Sequence, residues 1–443
     1  MTEREAMEIA GEAVTAAKQA GASEAEATLS QARRFHVEAR DKTISKLEQS
    51  TGATLHVRLF LDGRRVTVST SDLTRESVQR ALNAAVEQAR EVAPDPLATL
   101  PDTCSRFEGD LRLFDSAIAQ RDDALKVDDV LALEKMIRDA DARVVNSSGS
   151  HYNDASSVNA LANSSGFSAA YTATRASLSS APVAQHDGVK RTGHYGTAGR
   201  FLRDLESASE VSRVAARRAV ELFGARKPDT ARLPVIFERD VAAAVLDDLF
   251  SAVNAGNVAI GNSWLAGRLG ERIGSDLVTI VDDGTLPEKL GSSPFDGEGV
   301  ATRRTPVFER GTLRSFLFDT YYARKLGEQS TGNSNGGGIG PNNLYLEPGT
   351  QTLDELIAAT PRGVIVLDTI GFATEHATGN YSRGARGFMI ENGELSYPID
   401  EFTVAGNFAD MLAAMDAVAN DLRFDSAVVS PSFRIAEMTI SGS

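Results

Sequence analysis

The sequence is poor in cysteine and in positive charge. Its 443 residues contain one cysteine, Cys104, which excludes an internal disulfide framework and is typical of a reducing compartment. Lysine and arginine number 46 against 61 acidic residues, giving a net charge of −15. Because binding phosphates requires a basic surface, this balance argues against nucleic acid as a partner.

Long apolar segments are missing as well. The best apolar run, residues 363–367, falls far short of the roughly 18 residues that a membrane span needs. The first residues are charged with both signs and lack the basic start and apolar centre of a signal peptide. We therefore expect a cytoplasmic protein with no membrane partner.

The common hydrolase motifs do not occur. No two histidines share a predicted helix face, which excludes a His-Glu-x-x-His zinc helix; the six are His36, His56, His151, His186, His194 and His376. The Gly-x-Ser-x-Gly elbow of serine hydrolases is also missing. Cys104 has no histidine nearby in sequence, which favours an incidental thiol. The glycine cluster at 333–341 lacks the Gly-Lys-Ser/Thr ending of a phosphate loop, so a closely approached backbone loop is favoured.

Helical and strand-like patterns repeat in the amino-terminal half. Helices are expected at residues 2–20, 74–92, 127–141 and 207–223. The strand-like runs between them include residues 25–30, 35–39, 142–147 and 157–162. Asp62-Gly63 predicts a hairpin turn, and so do the Asn-Ser-Ser-Gly tetrapeptides that begin at Asn146 and Asn163. The matching order predicts a duplicated helix–strands–helix region over residues 1–225, with units at about 1–97 and 115–225.

The carboxy-terminal part has a different composition. Residues 224–234 are typical of a linker, and residues 233–443 consist mostly of short strand-like runs broken by glycine, proline and aspartate. Helices are expected only at 240–253 and 408–419. This pattern predicts a β-rich domain with antiparallel or barrel-like sheets, and the whole chain is assigned to the α+β class.

Two acidic pairs and one histidine are the remaining candidates for chemistry. Asp247 and Asp248 lie on the predicted helix 240–253, where adjacent residues point about 100° apart, so a solvated helix face is favoured over a shared metal. Asp282-Asp283 before a glycine is typical of a strand-ending turn. Glu375-His376 lies in a glycine-rich loop; a surface histidine is favoured, and a general base is the alternative.

Several motifs in the carboxy-terminal half occur together in the order found in one peptidase family. They are residues 295–300 (Phe-Asp-Gly-Glu-Gly-Val), 305–311, 321–327, 330–333, 342–349, 387–394 (Gly-Phe-Met-Ile-Glu-Asn-Gly-Glu) and 403–407. On these residues the chain resembles the TldD/PmbA (TldD/TldE) peptidase family over about 200 residues. The amino-terminal half is similar to the family's duplicated α+β region more loosely.

The resemblance implies one of two kinds of subunit. TldD-like chains resemble zinc peptidases that carry a His-Glu-x-x-x-His helix and a distant cysteine ligand, whereas TldE- or PmbA-like chains lack these residues and assemble with the first kind. Asp247, Asp248 and Ala252 stand where the family's zinc helix has its motif, and residues 428–433 contain no cysteine. Carboxylates and an alanine do not supply the nitrogen and sulfur ligands that favour zinc. The resemblance therefore implies a TldE/PmbA-like subunit with no metal or cofactor of its own, paired with a TldD-like zinc peptidase.

The implied activity of the complex is cleavage of peptides or unfolded protein segments bound in an extended form. The glycine loop, which comprises residues 331–333 and 336–340, is expected to shape the substrate channel through Thr331, Gly332, Asn333, Gly338 and Gly340. In isolation the chain is expected to form a homodimer. Two alternatives stay open: a stand-alone hydrolase that uses His376 and Glu375, and a non-catalytic peptide-binding regulatory protein.

Overall fold

The amino-terminal half of the computed structural model forms one continuous sheet with helices on one face. The structure describes residues 1–371 and 374–442. In chain order the elements of this half are α1 (Glu3–Gln19), β1 (Glu24–Arg40), β2 (Thr43–Leu61), β3 (Arg64–Thr70), α2 (Arg75–Ala89), α3 (Ser116–Ala119), α4 (Asp123–Ala140), β4 (Val144–Asn163), β5 (Ser168–His186), β6 (Val189–Thr192), β7 (Tyr195–Gly199), a 3-10 turn (Leu202–Asp204) and α5 (Ala208–Val220).

The two predicted units share this sheet. Its seven strands run in the order β3-β2-β1-β4-β5-β6, and β7 pairs with β5. Strands β1 and β4 join the units in an antiparallel register that extends from Glu26 opposite Asn163 to Ala39 opposite Ser150. Alternate residues of β1 face the helices: Leu29 packs with the core beneath α1 and α2, and Phe35 with the core beneath α4 and α5. The opposite face is therefore free for other contacts.

Local signals explain where several elements begin and end. Thr2 and Glu5 form a reciprocal capping box at the start of α1. Asp62 and Gly63, with φ values of 48° and 76°, form the predicted hairpin turn between β2 and β3. The tetrapeptide at Asn163 likewise forms the turn between β4 and β5, where the side-chain Oδ1 of Asn163 accepts from the backbone N–H of Ser165 at 3.0 Å.

Three predictions about element boundaries were wrong. The tetrapeptide at Asn146 lies inside β4, where the register shifts at a β-bulge instead of reversing the chain. The runs 25–30 and 35–39 belong to the single strand β1, and 142–147 and 157–162 to β4, because pairing on both sides carries the backbone across their polar gaps. The late helix ends at Ala413, since the chain then enters a strand that pairs with the carboxy-terminal strand.

The carboxy-terminal part contains two further sheets. Its elements are β8 (Ala231–Phe237), α6 (Arg239–Val253), α7 (Ala255–Ala259), β9 (Ile280–Asp283), β10 (Arg304–Glu309), β11 (Thr312–Leu313), α8 (Thr320–Leu326), β12 (Leu344–Leu346), α9 (Leu353–Ala358), β13 (Arg362–Ile370), β14 (Thr374–Glu375), β15 (Asn380–Glu391), β16 (Glu394–Asn407), α10 (Phe408–Ala413), β17 (Met415–Val418), β18 (Val428–Val429) and β19 (Phe433–Ser441). One sheet has the order β11-β10-β9-β12-β18.

The other sheet closes on itself. Its strands follow the order β13-β8-β19-β16-β15, and β15 pairs with β13 to complete the ring. Most neighbours are antiparallel, while β8 pairs with β13 in parallel. The α+β class and the β-rich carboxy-terminal domain with barrel-like sheets are therefore confirmed. No helix of the described residues has the length and apolar character to cross a membrane.

Helix α6 connects this core to the rest of the molecule. Glu238 caps its first turn by accepting from the backbone N–H of Asp240 at 3.0 Å. Its apolar side, which includes Val245, Leu249 and Val253, is buried in the main carboxy-terminal core. The opposite side faces the amino-terminal sheet across a large cavity, which makes α6 the natural starting point for a functional site.

Candidate functional site

A large cavity lies between the two halves of the chain. It has a volume of about 1160 Å³ and is bounded by β5, β6, β7 and α5 on one side and by α6, β13 and β15 on the other. Its lining is strongly charged: Lys190, Arg191, Arg218, Arg383, Arg386 and Arg423 face Glu221, Asp240, Asp368 and Asp425. A cavity of this size and polarity suits a polar or peptidic ligand better than a small apolar one.

Ion pairs fix most of the guanidinium groups in this cavity. Arg218 Nη2 lies 2.6 Å from Asp240 Oδ2 at the first turn of α6. Arg423 Nη1 lies 2.8 Å from Glu206 Oε1, and its Nη2 pairs with Asp425. Because these side chains are anchored by carboxylates, their positions are set before any ligand enters.

Asp248 on α6 forms an ion pair with Arg383 on β15. Both carboxylate oxygens of Asp248 lie 2.7 Å from Nη2 of Arg383, and Thr374 Oγ1 donates to Oδ2 at 3.0 Å. Each of the two charged side chains is only 15% exposed. Asp247 is exposed, as a solvated helix face predicts, and Ala252 is buried in the core. Asp248 therefore departs from that prediction, since Arg383 neutralises it.

These residues do not fit zinc. Of the three side chains, the Asp248 carboxylate is already paired with a guanidinium, the Asp247 carboxylate is exposed, and Ala252 offers only a methyl group. Zinc sites use histidine nitrogen, cysteine sulfur or carboxylate oxygen in tetrahedral sets of three or four ligands. An arginine at the same place would repel a cation, so the chemistry of α6 is that of a fixed ion pair.

A second site lies where the glycine loop meets β9. Asp282 at the end of β9 is fully buried and accepts from Asn333 Nδ2 at 2.7 Å, from the backbone N–H of Asn342 at 2.8 Å and from Asn342 Nδ2 at 3.1 Å. Burial raises the pKa of Asp282 to about 6 although these donors lower it. The strand ends at Asp283, as expected from Asp282-Asp283, but Asp282 has the additional role of holding both ends of the loop.

Three of the residues predicted to shape a substrate channel are buried parts of this loop. Thr331 Oγ1 accepts from the backbone N–H of Phe318 at 2.7 Å, and Asn333 donates to Asp282 and to the carbonyl of Gly340. Gly332 has a φ of +75°, and a Cβ there would lie 2.6 Å from the carbonyl oxygen of Ala301. These three residues therefore hold the loop in its shape.

The other two predicted channel residues are partly exposed. Gly338 is on the loop tip, and Gly340 lies beside Asn333 in a cleft of about 260 Å³. The far wall of this cleft is the helix-free face of the amino-terminal sheet, represented by Thr28 and Asn159. The loop therefore contacts space that a ligand can reach at its tip and at Gly340.

Arg58 of β2 joins the sheet to this loop. Its Nη1 lies 3.1 Å from Glu298 Oε1, its Nη2 donates to the carbonyl of Gly336 at 2.9 Å, and Glu26 lies 3.6 Å away. Burial raises the pKa of Glu26 to about 8 against the lowering effect of Arg58. Cys104 lies next to this cluster and donates to the carbonyl of Glu298, and burial raises its pKa to about 11. Such a thiol is mostly protonated at neutral pH.

Glu375 and His376 are neighbours in sequence but do not bond to each other. The Glu375 carboxylate accepts from Thr378 Oγ1 at 2.7 Å and from Asn380 Nδ2 at 3.2 Å, and these bonds lower its pKa. Nδ1 of His376 is buried without a hydrogen-bond partner among the described residues. A general base oriented by a carboxylate needs a hydrogen bond between the two groups. In the described part of the chain, Glu375 and His376 form no such bond with each other.

The same fold is found in solved structures of other proteins. A crystal structure from Bacteroides thetaiotaomicron, described as a candidate modulator of DNA gyrase, is 28% identical, with a TM-score of 0.92 and coverage of 98% of both chains. The structure of TldE from Thermococcus kodakarensis matches with a TM-score of 0.88 over 98% of this chain and all of that one, at 23% identity.

The sequence itself identifies the family. Models of the PmbA/TldA metallopeptidase family match residues 25–92 (domain 1), 117–223 (central domain) and 230–442 (C-terminal domain). Metalloprotease PmbA of Escherichia coli is 33% identical over 420 residues, covering 94% of this chain and 92% of that protein. A PmbA homologue of Haemophilus influenzae is also 33% identical, over 99% of this chain and 97% of that protein. The chain belongs to the PmbA/TldD metallopeptidase family.

Sequence reasoning missed the groups that give the cavity its charge. Arg383 lies on β15 and Arg423 beyond α10, and neither has a local motif that links it to α6. The buried role of Asp282 was also missed, because an Asp-Asp-Gly sequence is equally typical of a turn. Pairing between distant strands brings these residues together.

Proposed function

We propose that this chain is the TldE/PmbA-like subunit of a two-subunit peptidase, that it lacks the ligands of the catalytic zinc, and that a TldD-like partner supplies that zinc. The observation that carries the proposal is the ion pair of Asp248 on α6 with Arg383 on β15. The resemblance implies that the family's zinc subunits carry metal ligands on this helix. A chain built in this way contributes surface and shape to the complex and depends on its partner for catalysis.

The proposed role of the large cavity is to hold part of an extended peptide. Its guanidinium groups are paired in advance, so they present fixed N–H donors to backbone carbonyls or to acidic side chains. Its volume of about 1160 Å³ accommodates a short peptide segment and excludes a folded domain. This matches the expected substrates, which are peptides and unfolded protein segments.

The glycine loop has a supporting role in this proposal. Asp282 and Arg58 fix its base, while Gly338 and Gly340 stay accessible at the cleft. Backbone without side chains allows a peptide to approach closely, which favours recognition through main-chain hydrogen bonds. Thr331, Gly332 and Asn333 then act by holding the loop in shape.

The decisive experiment is a peptide-cleavage assay on the purified chain, a TldD-like partner and their mixture. We expect cleavage only in the mixture, and we expect it to disappear when the histidines of the partner's zinc helix are replaced by alanine. Asp247→Ala in this chain is the matched control and should leave cleavage by the mixture unchanged. Cleavage by this chain alone, or by a mixture with the disabled partner, would overturn the proposal.

The stand-alone hydrolase remains the alternative that the same assay separates. If His376 were a general base, His376→Ala would abolish turnover by the isolated chain, whereas the subunit proposal expects no effect beyond about twofold on the mixture. A purely regulatory peptide-binding protein would bind peptide with no cleavage in any mixture. A cytoplasmic location and a homodimer in the absence of the partner belong to the same proposal, and light scattering of the isolated chain tests the dimer.

A further inference from the structure

A cluster of two histidines and one glutamate lies on the helix-free face of the amino-terminal sheet. One ligand atom each from His36, Glu38 and His151 lies within 4.8 Å of the other two, and all three residues are half-buried. His36 and Glu38 are two residues apart on β1, and His151 lies directly opposite Glu38 on β4. Residues in these positions project from the same face of a sheet, so their convergence follows from the strand register.

We propose that His36, Glu38 and His151 form a binding site for a divalent transition metal, with Zn²⁺ as the fitting ion. Two imidazole nitrogens and one carboxylate oxygen are a set that zinc uses when it keeps a coordination position open. Tetrahedral zinc with bonds of about 2.0–2.1 Å places its ligand atoms about 3.4 Å apart. Small side-chain rotations suffice to close the observed spacing to that value.

The hydrogen bonds around the cluster prepare it for a cation. His36 Nδ1 lies 2.7 Å from Asn153 Oδ1; an amide oxygen only accepts, so Nδ1 carries the proton and Nε2 keeps its lone pair for a metal. Ser45 Oγ donates to Glu38 Oε1 at 2.8 Å, which orients the carboxylate and leaves Oε2 available. No lysine or arginine of the described residues forms an ion pair with Glu38, so its charge is not already neutralised.

The backbone also leaves room at this place. Gly149 lies within a β-bulge of β4, between Ser147 and Ser150, and has a φ of +130°. A Cβ at this position would lie 2.9 Å from Nε2 of His151 and 3.3 Å from Cγ of Glu38. Glycine here keeps the imidazole free to turn towards its neighbours, and bulges of this kind commonly re-aim side chains at functional sites.

Two cavities lie beside the site. His36 and Asn153 line a cleft of about 350 Å³ that also contains Ser177. Ser177 in turn lines the large cavity between the two halves of the chain. A metal held here would therefore be separate from α6 and would stand at the edge of the proposed peptide cavity. The inference is independent of the subunit proposal, because it concerns only the amino-terminal sheet.

The test is zinc titration of the full-length, chelator-treated chain by calorimetry, with elemental analysis after dialysis. We expect one equivalent of Zn²⁺, and we expect His36→Ala and His151→Ala to weaken its affinity at least tenfold. Asn153→Ala should weaken it roughly 10–100-fold, as for other residues that orient a metal-bound histidine. The matched controls His56→Ala and His186→Ala remove exposed histidines elsewhere and should bind like the wild type.

A second measurement keeps the result independent of folding defects. Co²⁺ bound by the chain should show the visible absorption of a low-coordinate nitrogen and oxygen site, and His36→Ala/His151→Ala should lose this absorption while its circular dichroism stays unchanged. Zinc bound equally by the double variant would identify an adventitious ion and overturn the inference. The absence of any stoichiometric zinc binding by the wild type would overturn it as well.

Discussion

Replacing Arg58 by methionine should destabilise the junction between the amino-terminal sheet and the glycine loop. Arg58 is 10% exposed, and its two carboxylate partners are 2% exposed at Glu26 and 5% at Glu298. Removing one member of a buried pair leaves an uncompensated charge, which costs about 3–5 kcal/mol. Methionine retains the volume of the side-chain stem, so the loss reports charge and hydrogen bonds more than packing.

The loss follows from the carboxylate that is left without its cation. In the wild type, Arg58 Nη1 lies 3.1 Å from Glu298 Oε1. In the variant, Glu298 keeps its buried position without this guanidinium, and methionine offers no donor in its place.

The assay is urea unfolding at pH 7, combined with hydrogen exchange of the segment 331–342. Faster exchange should appear first in this segment, because Arg58 also donates to the carbonyl of Gly336. Arg58→Met/Glu298→Gln removes the orphaned charge and should recover part of the lost stability. An equal destabilisation of the single and the double variant would refute the electrostatic reasoning.

Three further outcomes are expected. Burial raises the pKa of Glu26 from 4.5 to about 8, so this group favours folding at low pH and its contribution to stability falls as pH rises from 4.5 to 8. In urea unfolding across that range, the free energy of unfolding of Glu26→Gln should therefore change less with pH than that of the wild type. Parallel pH profiles would contradict the assignment. Asp248→Ala should lower the free energy of unfolding by about 2–3 kcal/mol, because it leaves Arg383 unpaired. The exposed control Asp247→Ala should change it by no more than about 0.5 kcal/mol. Equal effects of the two substitutions in thermal unfolding would show that the ion pair does not stabilise the fold. Burial raises the pKa of Cys104 from 9.0 to about 11. At pH 8 its thiol should therefore react with iodoacetamide about 100-fold more slowly in the folded chain than in urea. A rate near that of the unfolded chain would mean that the thiol is not buried in solution.

The predictions from sequence succeeded where the cause was local. The turn at Asp62-Gly63 depends on residues next to each other in the chain, and it occurs as expected. Strand lengths failed for the opposite reason. Polar gaps in β1 and β4 end a hydrophobic pattern, but pairing on both sides continues the strand through them.

The functional sites show the same difference between local and distant causes. The mismatch of α6 with a zinc helix was visible in the sequence, because a helical ligand pair has a fixed spacing. Its replacement by the pair of Asp248 with Arg383 was not visible, since those residues lie on different elements that only the closed sheet brings together. The cluster of His36, Glu38 and His151 has no signal in the sequence for the same reason, because these residues lie on two paired strands and are far apart in the chain.

By itself, then, the sequence determined the family, the fold class and the unsuitability of α6 for zinc, all of which depend on residue types and short spacings. The tertiary structure decided which charges meet in the cavity, which loop residues are buried around Asp282, and which face of the sheet stays open. These follow from strand register and sheet closure, which place residues side by side that are far apart in the chain, and no local pattern encodes that distance.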